Sequence, residues 1–272
     1  MLAQKIYLGN AGNKTLSSKT AVIKKLLGVT GLELNQRGRK TAELCALPRC
    51  PTAGWIVEFI GTQGIGKTTL SNSLHKTLRK NWFFRSDLGQ TGPSPAVSKA
   101  LENLHREIYF LKLKRLYEEN ADAWKILTAG RQMSRVISES LTILNNDFPR
   151  GFVLDESLFK NFHHEVLALA GDAPGPLWAQ RAFIYLRTRD PEFVVARYQG
   201  RVAERAERGM LQVPPSDAEL RNRIEQDNDL FDAITQKAQA FDCPVIVLYA
   251  EDDTQENIRT ILEFEETVRS RA

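Results

Sequence analysis

Gly61, Gly66, Lys67 and Thr68 stand in the spacing G-x-x-x-x-G-K-[ST], and the chemistry that this spacing serves is the holding of phosphate. Glycines let successive main-chain N–H groups converge on phosphate oxygens, and the N-terminus of a following helix adds partial positive charge at the same point. Across Gly61, Thr62, Gln63, Gly64, Ile65, Gly66, Lys67, Thr68 and Thr69, the Lys67 ammonium would reach the β- and γ-phosphates and the Thr68 hydroxyl would ligate Mg²⁺. The alternative is a glycine-rich bend that binds nothing, and the flanks argue against it. Trp55 to Ile60 is a bulky, β-branched run of the kind buried in parallel sheets. Leu70, Leu74 and Leu78 recur at the four-residue interval of a helix core stripe.

Other residues could complete such a site. Asp155 and Glu156 end the apolar run Gly151 to Leu154, where phosphate-loop proteins carry a Mg²⁺-associated carboxylate, so Asp155 is expected to hold the metal directly or through water. Arg197, Arg201, Arg205 and Arg208 fall within about 80° of helix circumference at roughly 3.6 residues per turn. Such a stripe either clamps phosphates and offsets transition-state charge or, through Glu204, pairs with itself. Gly209, Pro214 and Pro215 end it as a mobile lid would end. Asp87, just past Arg85, either takes a proton from an acceptor hydroxyl or caps its own loop. Arg131 and Arg135 share a helical face and either contact an anionic acceptor or face water, whereas the adjacent His163 and His164 read as helix-surface residues.

These residues must be positioned by alternating strands and helices. Strands are expected at Trp55–Ile60, Trp82–Arg85, Gly151–Asp155, Phe183–Leu186 and Val245–Tyr249. Helical patterns follow Lys67, and Leu101 to Leu116 and Met133 to Leu144 form two long amphipathic faces. The alternation predicts an α/β fold in three layers: an open five-stranded parallel sheet with helices on both faces. Ligands of such sheets bind beyond the carboxyl ends of the strands, which is where Gly61, Arg85, Asp155 and Thr188 would gather.

Composition bounds the rest. The 272 residues suffice for a sizeable core, and 42% hydrophobic with 26% charged residues is ordinary for a globular chain. No apolar run approaches the roughly 18 residues of a membrane span, and the start lacks the apolar core of a secretory signal. Three cysteines give neither an even disulfide set nor metal spacing, so a cytoplasmic location is the expectation. Residues 1–54 hold nine Lys/Arg and two acids, a net of +7, against 28 and 31 in the remainder, a net of −3. The division expected is a basic N-terminal extension, 1–54, and a phosphate-loop domain, 55–272. The extension either contacts an anionic partner or is simply solvated, and the sequence leaves a homodimer open.

The order of these features resembles the thymidylate-kinase branch of the phosphate-loop nucleoside and nucleotide kinases. The loop Gly61 to Thr68, Ala129-Gly-Arg131-Gln132, Gly151 to Asp155, and Ile184 to Arg197 carry the likeness. It implies ATP and Mg²⁺ as cofactors, lid roles for Arg201, Arg205 and Arg208, an acceptor contact at Arg131, and an adenine-site edge at Ala250 to Asp253. That family usually has Asp-Arg where this chain has Asp155-Glu156, and its Arg-Glu-Pro-Gly is replaced by Arg85-Ser-Asp-Leu-Gly. The expectation is therefore an ATP- and Mg²⁺-dependent kinase acting on a small molecule. With acidic Glu156 disfavouring a second phosphate, a hydroxyl acceptor, nucleoside- or sugar-like, stands ahead of a nucleoside monophosphate. The alternative is a regulatory phosphate-loop ATPase coupled to a macromolecule, in which the Asp155-Glu156 pair activates water; a third reading is a nucleotide-gated binding module without turnover.

Overall fold

The computed structural model describes residues 43–88, 98–169, 175–207 and 215–271. Its five strands are β1 (Ile56–Ile60), β2 (Trp82–Phe84), β3 (Gly151–Leu154), β4 (Arg181–Arg187) and β5 (Val245–Tyr249). All pair in parallel, in the order β2-β3-β1-β4-β5. β1 is thus central, between β3 and β4, and the chain that leaves it reaches the far edge before returning. In such an order the crevice beyond the strand ends opens beside the central strand.

The helices follow from the expected periodicities. α1 (Lys67–Leu78) buries Leu70, Leu74 and Leu78 against the sheet. After β2 come α2 (Arg85–Leu88), α3 (Lys99–Glu118) and α4 (Ala123–Asn145), so Arg85 opens a helical turn rather than closing a strand. Past β3 lie α5 (Leu158–Asn161), α6 (His163–Ala168) and α7 (Gly175–Trp178). α8 (Pro191–Glu207), α9 (Asp217–Ala240) and α10 (Thr254–Ser270) follow in the second half of the domain. Side chains of β1 alternate, as a strand buried on both faces requires. Val57 and Phe59 join a core with α1, α8 and α10, whereas Ile60 joins one with α3, α4, α6 and α9. None of the described helices is long and apolar enough to cross a membrane.

Most of the basic leading segment lies outside the described residues, but its last part is docked. Leu44 and Cys45 pack on a core that includes Phe83, Phe148 and Phe152. The Cys50 N–H donates to Pro149 O at 2.7 Å, and buried Thr52 bonds Asn81 O and the Gly151 N–H. Residues 44–54 are therefore built into the folded body.

Candidate active site

The loop between β1 and α1 takes its shape from three glycines with positive φ: Gly61 at 133°, Gly64 at 92° and Gly66 at 118°. At Gly61 a Cβ would lie 2.2 Å from Leu186 O of β4, so the loop can leave the sheet here only without a side chain. Gly66 is the N-cap of α1. Lys67 folds back across the loop, its Nζ donating to Gly61 O at 2.6 Å and Thr62 O at 2.7 Å. Burial first, and then nearby Lys160, pull its ammonium down to about 7; Asp227, Glu156 and Asp155 oppose them. An anion held by the loop would restore the proton's advantage.

Across the crevice, the Thr68 hydroxyl donates to Asp155 Oδ2 at 2.8 Å. These are hard oxygen donors at a helix N-terminus, and a magnesium ion bound by one or two protein oxygens plus phosphates and water fits that donor set. A second carboxylate, Asp227 of α9, accepts from Thr62 Oγ1 at 2.6 Å and so touches the loop from the opposite wall. Nothing in the sequence marks it, because α9 carries many acids and only the tertiary packing selects this one.

Glu156 does not leave a bare negative charge. Its Oε2 accepts from Arg85 at 3.0 Å and Arg135 at 3.5 Å, and Lys160 lies 3.6 Å from Oε1. Burial alone would raise its carboxyl, yet Lys160, Arg85 and Arg135 hold it below the usual range. Glu156 therefore meets any bound group with its charge already shared among three cations. Arg85 also makes a fork with Glu139, at 3.0 and 3.3 Å, and serves as a bridge between two acids. Asp87 accepts the Phe84 N–H at 2.8 Å, the capping alternative of the two that the sequence offered.

On the other side, Arg197 of α8 packs over Gly66 and donates to Ile65 O at 3.3 Å. Arg201 and Arg205 continue outward along the same helix and are exposed; Arg208 lies outside the described residues. Glu251, within the segment Ala250 to Asp253, accepts from the Thr188 hydroxyl and from the amides of Arg189 and Asp190, at 2.9 and 3.1 Å. This ties the turn after β5 to the end of β4.

A cavity of about 240 Å³ opens directly beside the loop, against Gly61 and Gln63. Gln132 and Met133 of α4 form one wall, with Lys112 of α3. Lys160, Asn161 and His163 form a second, and Arg223, Asp227 and Phe231 of α9 a third. Arg131 and its neighbour Gln132 are both exposed, but Gln132 lines the cavity and donates to Asn161 Oδ1 at 2.8 Å. His163 is half-buried: its ring packs on Phe231 and its Nδ1 bonds Lys160 O, and burial lowers it to about 4, leaving it neutral. Below the loop, β1 places Glu58 and β4 places Arg181, both buried and ion-paired, with Ser157 donating to the same carboxylate.

No family model matches this chain, and no curated protein matches it. Among solved structures it is similar to deoxyadenosine kinase from M. mycoides with bound dATP, at 17% identity over 78% of this chain and 99% of that one, TM-score 0.39. It is also similar to shikimate kinase from Acinetobacter baumannii in complex with shikimate, at 13% identity over 84% and 97%, TM-score 0.40. Shikimate kinase from Bacteroides thetaiotaomicron matches at 15% identity over 78% and 98%, TM-score 0.37. Likeness at this level says nothing of substrate, and the fold stands on the strand order and the loop.

Proposed function

We propose that the protein is an ATP- and Mg²⁺-dependent phosphotransferase that moves the γ-phosphoryl group to a hydroxyl on a small molecule. The observation that carries this reading is the 2.8 Å contact of Thr68 with Asp155 at the mouth of a loop over which Lys67 is folded. Phosphoryl transfer asks mainly for positioning and charge stabilisation. Loop amides and Lys67 would hold the β- and γ-phosphates, and Arg197, Arg201 and Arg205 would bear on them from α8. When bound, Mg²⁺ would neutralise phosphate charge between Thr68 and Asp155.

Support for a hydroxyl acceptor comes from Asp227, which lines the cavity and touches Thr62. A hydroxyl must lose a proton as it attacks, and a carboxylate at that point receives it. A phosphate acceptor needs no base and would be repelled by one. In the proposed step the acceptor oxygen bonds to the γ-phosphorus, the bond to the bridging oxygen breaks, ADP leaves with that electron pair, and Asp227 passes the proton to solvent.

The ATPase alternative relied on Glu156 to activate water. With Arg85, Arg135 and Lys160 around it, that carboxylate is a weakened base, which favours the kinase reading. Phosphorus NMR of Mg·ATP with a panel of hydroxylated metabolites tests the choice: a new phosphate-ester resonance is expected, and inorganic phosphate as the sole product would overturn it.

A further inference from the structure

The charge around the cavity points to what sort of acceptor it takes. Lys112, Lys160 and Arg223 face it, with Asp227 as the acid on its lining. The lysines are only loosely compensated. Lys112 Nζ lies 3.8 Å from Glu165 Oε2, beyond hydrogen-bond distance, while Arg115 holds Oε1 of the same carboxylate at 2.9 Å. Lys160 lies 3.6 Å from Glu156, which Arg85 already holds at 3.0 Å. Both ammonium groups are largely covered, with 15% and 17% of their side chains exposed, so water screens them poorly. Lys112 is also fixed in place, its Nζ donating to Asn161 O at 3.3 Å. A charged wall facing a small polar cavity is costly unless an anion completes it.

We infer that this cavity is the acceptor site and that its acceptor is a small hydroxylated anion, whose charged group sits between Lys112, Lys160 and Arg223 while its reacting hydroxyl lies against Asp227. The inference rests on the kinase reading above. In this pose the cations would fix the molecule's orientation, and the acid beside Thr62 would meet its uncharged hydroxyl. An anion placed the other way round would meet Asp227 and be repelled. The shared chemistry is a carboxylate or a phosphate ester; the experiment tells the two apart.

The test uses matched probes on the full chain: glycerol, glycerate and glycerol 3-phosphate, then inositol and quinate, then thymidine and thymidylate. Calorimetry gives the affinity of each in the presence of Mg²⁺ and a non-hydrolysable ATP analogue, and ADP release with ATP itself gives turnover. The charged member of at least one series should bind ten-fold or more tighter than its neutral partner, and added salt should narrow the gap. A preference for glycerate and quinate would assign a carboxylate, and one for glycerol 3-phosphate or thymidylate a phosphate ester. Lys160→Met and Arg223→Met should each remove most of the discrimination, with thermal unfolding as the check that they fold. Parity between charged and neutral members in every series, including no binding by a protein that still binds ATP, overturns the inference but leaves the kinase reading standing. Failure to bind Mg·ATP at all removes both.

Discussion

Thr68 and Asp155 stand 87 residues apart and meet at 2.8 Å where α1 begins and β3 ends. The loop fixes the first and the sheet the second, so their contact reports whether both elements are correctly placed. Asp155→Asn keeps the shape and removes the charge. Turnover should fall on the order of 10²-fold or more, as when one electrostatic contact to a transition state is lost. The Mg²⁺ concentration for half-maximal ADP release should rise. A variant with normal Mg²⁺ dependence would separate Asp155 from the metal.

Arg197 and Arg201 are one helical turn apart on α8 and have different surroundings. Arg197 bonds Ile65 O and packs on Phe193, whereas Arg201 is exposed. Arg201→Ala should therefore lower kcat more than it raises the KM for ATP, because its contact would form only as the phosphoryl group transfers. Arg197→Ala should act chiefly on KM. Steady-state kinetics of the two variants compare directly, and equal effects on both constants for Arg201 would reduce it to ordinary nucleotide binding.

Local spacing made the loop, the five strands and the α1 stripe readable, because each depends on residues within a few positions of one another. What failed to show depends on distant partners. Glu58 interrupts the apolar run of β1, and nothing nearby reveals that Arg181, 123 residues on, neutralises it. Asp227 is one acid among many on α9, chosen by contact with Thr62. Of the cations around Glu156, Lys160 is only four residues on, but Arg85 and Arg135 come from α2 and α4 and could not be read locally. The contact of His163 with Phe231 of α9 likewise joins residues far apart in the chain.

Gly61 combines a φ of 133° with a β4 carbonyl 2.2 Å from where a Cβ would sit. Gly61→Ala must push β1 from β4 or deform the loop, and neither is a flexible side chain that can give way. A loss of more than about 3 kcal/mol is expected, with nucleotide affinity falling alongside. Chemical denaturation and calorimetry measure the two; a stable variant that binds ATP normally would show that the close approach is unnecessary.

The buried pair of Glu58 and Arg181 lies under the same loop, linking β1 to β4. Removing one partner strands a charge, so Glu58→Gln should cost about 3–5 kcal/mol. Replacing both, with Glu58→Leu and Arg181→Met, should restore most of that loss, since apolar substitution of a whole buried pair is often neutral. A double variant no better than the single one would mean that the pair's geometry, including the Ser157 bond to Glu58, is itself needed.

His105 contributes a pH dependence of definite sign. Its ring is buried between α3 and α4, with Nδ1 bonded to Leu101 O at 2.8 Å and Nε2 to Ser140 Oγ at 2.9 Å. Burial first, and Arg181 as well, lower it to about 4 from 6.5, against the Leu101 bond. Between those values the unfolded chain binds a proton that the folded one does not, so stability falls as pH drops from about 6.5 towards 4. Below that range both states are protonated and this contribution levels off. His105→Gln carries no titrating ring, and its stability should decline less steeply over the same interval. Urea unfolding of both proteins at pH 7, 6, 5 and about 4 makes the comparison; parallel curves would show that His105 takes up its proton in the folded state near its ordinary value.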